Sequence, residues 1–183
     1  GVIYYADGSR AVVKDLGNPV LSLVMDTITN GGQALVFTNS RSNTVKLAQQ
    51  IAHYICNYGT KLIEPSALAR ISNSIIEESQ SKILGEELAK VVKCGVAFHH
   101  AGLDMGVRSI VESSFRDRLI KVVVATTTLA AGVNLPARRV VIHEYRRYEP
   151  GIGMEELPVM EYKQMAGRAG RPGLDPYGEA VLI

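Results

Sequence analysis

Two arginines near the carboxyl end of the chain have the spacing and surroundings of a phosphate-binding site. Residues Gln164 to Pro172 read QMAGRAGRP and set Arg168 and Arg171 three residues apart. One helical turn would bring both guanidinium groups to one face, with Gln164 one turn earlier. Arginine stays charged and can contact two phosphate oxygens at once, and the small residues between let a ligand or a second domain approach the backbone. By itself the string fits a polyphosphate site and a solvated glycine-arginine turn about equally.

Three other segments carry polar residues directly after apolar runs. The runs end at Phe37, Phe98 and Ala125, and the segments that follow them read TNSR, HHAGL and TTTLAAGVNLPA. In an α/β sheet the carboxyl ends of parallel strands meet at one edge, so we expect these segments to share one rim. Hydroxyl and backbone N–H groups there suit nucleic-acid phosphates without reading base sequence. The residues expected to contact those phosphates are Thr126, Thr127, Ser40 and Arg41.

Some of these polar residues have a plain structural alternative. A single hydroxyl such as that of Ser40 serves as a helix N-cap more often than as a ligand contact. His99 and His100 would point to opposite faces of a strand, and no third ligand is evident in the sequence, so a metal site is not expected. His100 is either a satisfied structural histidine or a nucleic-acid contact.

Strands that alternate with helices along the chain predict an α/β fold with a mainly parallel sheet. The order and spacing of the four segments resemble motifs IV (residues 37–41), IVa (99–103), V (125–136) and VI (164–172) of superfamily 2 helicases. HHAGL, AAGVNLPA and QMAGRAGRP are similar to the Ski-like branch, and within it to archaeal DNA-repair helicases related to the helicase module of polymerase theta. Any one motif alone would be a weak signal, whereas four in the right order make a strong one. The resemblance implies a RecA-like domain of an ATP-dependent DNA helicase that moves 3′ to 5′ in repair or replication restart.

The resemblance also implies roles for individual residues. Arg171 would be the arginine finger, Arg168 a second phosphate contact, and Gln164 a sensor of the attacking water or the γ-phosphate. Gly132 would lie near the terminal phosphate, and Asn134 near the ribose, where other members often carry aspartate. A structural salt bridge is the alternative for Arg168, and an ordinary turn residue is the alternative for Asn134.

Two parts of a complete nucleotide hydrolase are missing from the sequence. An enzyme of this class needs a glycine-rich loop that ends in Gly-Lys and an acidic residue for magnesium. The chain has no Gly-Lys dipeptide and no apolar run that ends in Asp-Glu. We therefore expect residues 1–183 to be the second of two motor domains of a longer protein and to be inactive alone. ATP and Mg²⁺ would bind at the interface with an N-terminal RecA-like domain, and further domains would follow.

The intervals outside the motifs predict three accessory elements. Residues 1–17 read as an edge ribbon or as a linker that leads into the domain. Residues 59–93 lack strand-like runs and read as an inserted pair of helices. Residues 143–162 are predicted to form a β-hairpin, which in the resembled family separates the strands of a duplex. An ordinary surface hairpin is the alternative, because the tip carries no conspicuous aromatic residue.

The predicted hairpin interleaves aromatic rings with positive charge. Such a pattern can stack on bases and hold phosphates. The residues that we expect to do so are Tyr145, Arg146 and Arg147.

Composition sets wider limits. A chain of 183 residues with 46% hydrophobic and 21% charged residues suits one globular domain with a substantial core. No apolar run approaches membrane-spanning length, and we expect a monomeric cytoplasmic protein. The net charge of +2 is too small to indicate nucleic-acid binding by itself. Cys56 and Cys94 fit neither a metal spacing nor a disulfide framework, which predicts a reducing compartment.

Single-stranded or forked DNA is the expected partner, but two alternatives stay open. Motifs that hold the backbone distinguish DNA from RNA poorly, because that choice depends on the 2′-hydroxyl. An RNA helicase of the same branch is therefore the nearest alternative. The second alternative is a non-catalytic module that binds nucleic acid. The paired arginines argue against this alternative, because a protein that only binds nucleic acid needs no paired arginines at a nucleotide cleft.

Overall fold

Strands and helices alternate along the chain. The computed structural model describes the backbone of residues 1–183 and every side chain except that of Arg147. The strands are β1 (Val2–Tyr4), β2 (Arg10–Val12), β3 (Ala34–Thr38), β4 (Val96–His99), β5 (Val122–Thr126), β6 (Arg139–Ile142), β7 (Arg146–Glu149), β8 (Gly153–Glu156) and β9 (Glu179–Leu182). The helices are α1 (Pro19–Thr29), α2 (Arg41–Tyr58), α3 (Pro65–Glu78), α4 (Lys82–Val92), α5 (Met105–Arg116), α6 (Leu129–Gly132) and α7 (Val159–Ala166), with a 3₁₀ turn at Thr60–Leu62.

A parallel sheet forms the centre of the molecule. Within the described backbone it has five strands in the order β4-β5-β3-β6-β9. Every residue of β3, β4 and β6 is buried, so both faces of the pleated sheet are covered. Parallel strands covered on both faces read as continuous apolar runs, which is why these strands could be found from the sequence. The predicted α/β fold, with a mainly parallel sheet flanked by helices, is confirmed.

The accessory segments lie outside this sheet. Residues 1–17 contain β1 and β2, which pair antiparallel as a two-stranded ribbon. Residues 59–93 contain the 3₁₀ turn followed by α3 and α4, and α4 packs against β4 while α3 packs against α5. Residues 143–162 contain β7 and β8, which pair antiparallel, and the start of α7. Among the helices of the described chain, none has the length and apolarity that a membrane span requires.

A buried ion-pair network holds the amino-terminal edge of the sheet, where the strands begin. Arg139 is 5% exposed, and its Nη1 donates to Asp26 Oδ2 at 2.7 Å while its Nε donates to Glu179 Oε2 at 2.7 Å. The hydroxyl of Tyr5 donates to Glu179 Oε1 at 2.5 Å and so ties the β1–β2 ribbon to β9. This hydrogen bond, together with burial, raises the pKa of Tyr5 to about 12.

Cys56 and Cys94 form a disulfide at the same edge, so the prediction that they fit no disulfide framework was wrong. They are 38 residues apart in sequence, but the last turn of α2 lies beside the turn before β4, and their Cα atoms are 5.3 Å apart. That distance is within the range that a disulfide spans. The spacing of two cysteines along the chain does not indicate that they lie close together in the fold. The disulfide does not identify the cellular compartment of the protein, because intracellular proteins of hyperthermophilic archaea are also rich in disulfides.

Candidate nucleotide and nucleic-acid site

Three of the predicted segments begin where neighbouring strands of the sheet end. Strands β4, β5 and β3 are adjacent, and Thr38 pairs in register with Thr126 while His99 pairs with Ala125. The residues that follow these strands therefore lie along one carboxyl rim, as parallel pairing requires. Motifs IV, IVa and the first part of V all start at this rim.

Ser40 and Arg41 occupy different environments at the start of α2. The hydroxyl of Ser40 accepts the N–H of Asn43 at 3.2 Å and so caps the helix, which is the structural alternative for this residue. Arg41 is exposed, and its Nη1 would lie 3.2 Å from a Cβ built on Gly102. The ring of His100 would lie closer still, at 2.9 Å, so glycine at position 102 leaves room chiefly for this ring, with the motif IV arginine beside it.

The two histidines of motif IVa contact different parts of the protein. His99 Nε2 lies 2.8 Å from Glu112 Oε1 on α5. His100 is 5% exposed, and its Nδ1 accepts the N–H of Gly102 at 3.0 Å. Burial lowers the pKa of His100, so the ring is neutral at pH 7. His100 thus holds its loop in shape, and a contact between it and nucleic acid stays a prediction.

Thr126 and Thr127 give the rim accessible hydroxyl groups. Both residues are half-buried, and Thr126 Oγ1 lies 3.0 Å from Thr128 Oγ1. Thr127 also lines a cavity of about 400 Å³, whose wall includes His143 after β6 and Tyr148 on β7. The base of the hairpin is therefore continuous with the rim.

The hairpin brings together only some of the residues predicted on it. The guanidinium of Arg146 lies 5.2 Å from the ring centroid of Tyr145, and its Nη2 is 3.5 Å from Glu156 Oε1 on β8. The positive charge of Arg146 is thus partly balanced within the hairpin itself. The side chain of Arg147 lies outside the described part of the structure.

The tip of the hairpin is apolar and open to solvent. Ile152 and Met154 are each 66% exposed, and Tyr148 is 70% exposed. Apolar side chains such as isoleucine and methionine can insert between base steps and unstack them, and an aromatic ring can stack on a base without reading its sequence.

In motif V, Asn134 meets one of the two arginines of motif VI. Arg168 Nη1 donates to Asn134 Oδ1 at 3.1 Å, and Arg168 Nη2 donates to the carbonyl oxygen of Ala130. Gly132 lies between these contacts in sequence and is exposed, and no described atom lies within 4 Å of a Cβ built on it. The half-buried guanidinium of Arg168 therefore lies against the segment that contains both residues predicted on the nucleotide side.

The loop after α7, residues 167–178, is fastened to the chain that leads into β6. The N–H of Ala137 donates to Arg168 O at 2.9 Å, and the N–H of Gly170 donates to Ala137 O at 2.6 Å. Gly170 has a φ of +90°, a conformation that a side chain would disfavour. A Cβ on Gly178 would lie 2.5 Å from Gly170 N, so glycine is needed for this close approach. Gln164 is exposed on the last turn of α7.

Arg171 lies in a different environment from Arg168. It is 8% exposed, and its Nε and Nη2 donate to the two carboxylate oxygens of Asp175 at 2.8 and 2.9 Å. Its Nη1 donates to Oε1 of Gln33, which directly precedes β3. The sequence suggested a finger role for Arg171 and a structural salt bridge as the alternative for Arg168, but the salt bridge belongs to Arg171. Asp175 is not among the residues predicted from the sequence, although a carboxylate four residues after an arginine is a recognisable pair.

Comparison with known proteins finds a matching family and several similar proteins. Residues 18–173 match the family described as the helicase conserved C-terminal domain. The chain is 52% identical over 183 residues to the ATP-dependent DNA helicase Hel308 of Caldivirga maquilingensis and 56% identical over 183 residues to that of Pyrobaculum calidifontis. These alignments cover 100% of this chain and 24% and 25% of the two relatives. Hel308 of Methanocella arvoryzae is 50% identical over 178 residues, which are 95% of this chain and 23% of that protein. The chain thus spans about a quarter of the length of these relatives.

Proposed function

Because the chain belongs to the family of helicase conserved C-terminal domains, we propose that it is the second motor domain of an ATP-dependent DNA helicase. The contact of Arg168 with Asn134 and Ala130, beside the open Gly132, carries the proposal. It sets a half-buried cation next to a segment with room for an anionic ligand. A binding module without a nucleotide has no need of this arrangement.

Arg168 is the arginine that we assign to the phosphates of ATP. Its two partners are a side-chain amide and a backbone carbonyl, both neutral, so a phosphate can replace them as the stronger partner for a guanidinium. Arg171, in contrast, is enclosed and paired with a carboxylate. Gln164, exposed one turn before Arg168, is positioned to orient water, and the amide oxygen of Asn134 can accept a ribose hydroxyl.

ATP would lie between this face and the first motor domain, and its hydrolysis supplies the free energy for stepping. The described residues contain no group of three or more His, Cys, Asp or Glu that could hold a metal ion. In our proposal the first motor domain holds Mg²⁺ and supplies the phosphate loop. This chain contributes the charge of Arg168, which would stabilise the negative charge that builds on the transferring phosphoryl group.

The carboxyl rim is the proposed track for single-stranded DNA. Thr126, Thr127 and Arg41 present hydroxyl and guanidinium groups there, and such groups hold phosphates without reading bases. The exposed tip of the hairpin, at Ile152 and Met154, would meet the fork where the duplex opens. Opening one base pair requires on the order of 1 to 2 kcal/mol of stacking, so a hairpin that only prevents re-annealing is sufficient. Movement would be 3′ to 5′.

Two activities of the full-length protein test this proposal. We expect ATP hydrolysis stimulated by single-stranded DNA, and unwinding of duplexes with a 3′ tail but not a 5′ tail. Replacing residues 146–156 by a tight turn should leave ATP hydrolysis in place, because the cleft and the rim stay intact. It should abolish unwinding, because the hairpin that meets the fork is gone. Trimming the β1–β2 turn at residues 6–9 is the matched control and should spare both activities.

Three outcomes would contradict the proposal. If the isolated 183-residue chain hydrolysed ATP at the rate of a complete helicase, it would need no first motor domain. Unwinding that survives the hairpin replacement would remove the fork role of the hairpin. Equal unwinding of RNA and DNA substrates would contradict the assignment to DNA.

A further inference from the structure

The cavity of about 400 Å³ beside Thr127 lies between the carboxyl rim and the base of the hairpin. That volume is within the range of pockets that hold small molecules, about 300 to 1000 Å³. Apolar residues of the sheet and of α7 line its inner part, and these are Phe37, Ile142 and Met165. Each of the three is buried. An apolar lining of this kind favours an uncharged ligand surface, because a charge there would lose its hydration.

Two polar residues at the cavity have hydrogen-bonding capacity that the fold does not use. Asn39 is exposed, and its Oδ1 accepts Nδ2 of Asn43 at 3.1 Å, so its own amide nitrogen stays a donor for other groups. His143 Nδ1 is buried and has no hydrogen-bond partner among the residues that the structure describes. A buried polar atom without a partner is unfavourable. A ligand that the His143 ring can contact would therefore stabilise this part of the cavity.

Glu144 is held at the cavity in a conformation that few residues with a side chain adopt. Its φ is +65°, in the left-handed region. Its carboxylate accepts Nδ2 of Asn43, which lies 3.1 Å from Oε2 and 3.5 Å from Oε1. The N–H of the preceding residue, His143, donates to Phe37 O at 3.0 Å. Contacts from α2 and β3 thus fix this strained residue, and strained residues are concentrated at ligand-binding sites.

The charge of the cavity favours a nucleobase over a phosphate. The carboxylates of Glu144 and Glu161 line it, and none of the lining residues whose side chains are described is a lysine or an arginine. Negative charges in a half-buried site repel a phosphate, whereas the amino group of a neutral base can donate to a carboxylate. Tyr148 also lines the cavity and is 70% exposed, and an accessible aromatic ring can stack on any base.

We propose that this cavity binds one unstacked base of the single strand, close to the duplex junction. Glu144 accepts from the amino group of the base, Asn39 donates to its edge, and Tyr148 stacks on its face. The inference rests on the proposed function, in which the strand lies along the rim and the hairpin meets the fork. Because a carboxylate only accepts hydrogen bonds, bases with an exocyclic amino group (adenine, cytosine and guanine) bind better than thymine.

A base scan on a forked substrate tests the pocket in the full-length protein. The 3′ tail is oligothymidine, and a single cytosine replaces thymine at each position in turn from the junction. We expect Kd to fall by about fivefold or more at one position, the low end for one base-edge contact, and to stay unchanged at the others. The fluorescent base 2-aminopurine, placed at the preferred position, should be quenched on binding because it stacks on Tyr148.

Two variants separate the polar contact from the stacking contact. Glu144→Gln keeps the shape, but its amide can both donate and accept, so the preference for cytosine should fall below about twofold. Tyr148→Ala removes the ring, so Kd should rise by about fivefold or more for either base, and the quenching of 2-aminopurine should be lost. The matched controls are Glu86→Gln on α4 and Tyr58→Ala on α2, which change exposed residues outside the cavity. Both controls should keep the preference and the quenching.

The outcomes distinguish a base from other occupants of the cavity. No preferred position, or a preference that Glu144→Gln leaves unchanged, would overturn the base pocket. If Glu144→Gln instead lowered Kd equally for every base and steepened the slope of log Kd against log salt, the cavity would hold a phosphate. If Tyr148→Ala lowered the melting temperature of the DNA-free protein and left Kd unchanged, another part of the full-length chain would occupy the cavity.

Failure of the pocket and failure of the proposed function give different results. A parent protein whose ATPase activity is not stimulated by single-stranded DNA would remove the proposed function. A parent protein with that stimulation, but with the same Kd for cytosine and thymine at every position of the tail, would overturn the pocket alone.

Discussion

The two ends of the central strands use polar side chains in opposite ways. At the amino-terminal edge, Arg139 and Arg171 are 5% and 8% exposed. Arg139 is bonded to carboxylates on α1 and β9, and Arg171 to Asp175 in its own loop. At the carboxyl rim, Arg41 is exposed, and Thr126 and Thr127 are half-buried. A charge that is fully paired inside the protein holds the fold, while a group that water can reach is able to exchange water for a ligand. The difference in burial, more than the residue type, separates the structural polar groups from those that we propose to be functional.

Arg168 and Arg171 show the same contrast within one short loop. Both belong to one motif, but one donates to neutral acceptors and the other to a buried carboxylate. Residues with the same side chain, three positions apart, therefore have different capacities to bind an anion. We expect the effects of substitutions on activity and on stability to divide in the same way.

The largest effect should come from Arg168. In the full-length protein, Arg168→Ala should lower kcat for ATP hydrolysis by about 10³-fold or more, because a positive charge is lost beside the transferring phosphoryl group. ATP binding and the melting temperature should change little, since the side chain is half-buried and its partners are neutral. Arg70→Ala, which removes an exposed arginine on α3, is the control. Normal hydrolysis by Arg168→Ala would give the finger role back to Arg171.

The disulfide should affect stability alone. Breaking it with Cys56→Ser frees a loop of 38 residues and should lower the free energy of unfolding by about 3 to 4 kcal/mol. The bond lies at the amino-terminal edge, so kcat at a temperature where the variant is folded should match that of the parent. Denaturant unfolding with and without reductant measures the first effect, and only the parent should respond to reductant. A fall in kcat at constant fold would show that the amino-terminal edge is not purely structural.

The features that could be predicted from the sequence are local or follow from strand pairing. Asparagine followed by proline, as at Asn18 and Pro19, is typical of a helix start, and at the start of α1 Asn18 Oδ1 accepts the N–H of Leu21 at 3.1 Å. The common rim followed from the rule that parallel strands end at one side of a sheet.

The features that the sequence did not yield join distant parts of the chain. Gln33 and Arg171 are 138 residues apart, and Cys56 and Cys94 are 38 apart. No periodicity or motif reports such contacts, because they depend on how α2, β3 and the last loop pack. The burial of Arg171 has the same origin, since a motif gives residue types and spacing but not burial. The finger role itself stays a prediction.

A smaller effect is expected from Tyr5, whose hydroxyl donates to Glu179. Its folded pKa, about 12, lies above the unfolded value of 10.0, so the protonated hydroxyl favours the folded state. That stability is complete below pH 10 and is lost as pH rises toward 12, with a size on the order of 1 kcal/mol because solvent screens the site. Tyr5→Phe should be less stable than the parent at neutral pH and should lose less stability on this rise. Tyr4→Phe, which changes the exposed neighbour, should behave like the parent. Identical pH profiles for Tyr5→Phe and the parent would contradict the role of this hydrogen bond.

The smallest effect should come from a single hydroxyl on the carboxyl rim. Thr126→Val keeps the shape of the side chain and removes a group that we expect to contact a DNA phosphate. One neutral hydrogen bond contributes roughly 0.5 to 1.5 kcal/mol, so Kd for single-stranded DNA should rise by about two- to twelvefold. No charge is lost, and the slope of log Kd against log salt should stay unchanged. ATPase activity at saturating DNA should also be normal, because the cleft is untouched. Thr60→Val, which removes an exposed hydroxyl after α2, is the control and should bind DNA like the parent. Equal affinities for the two variants would mean that the accessible rim is not the DNA track, and exposure alone would then be a poor guide to function in this domain.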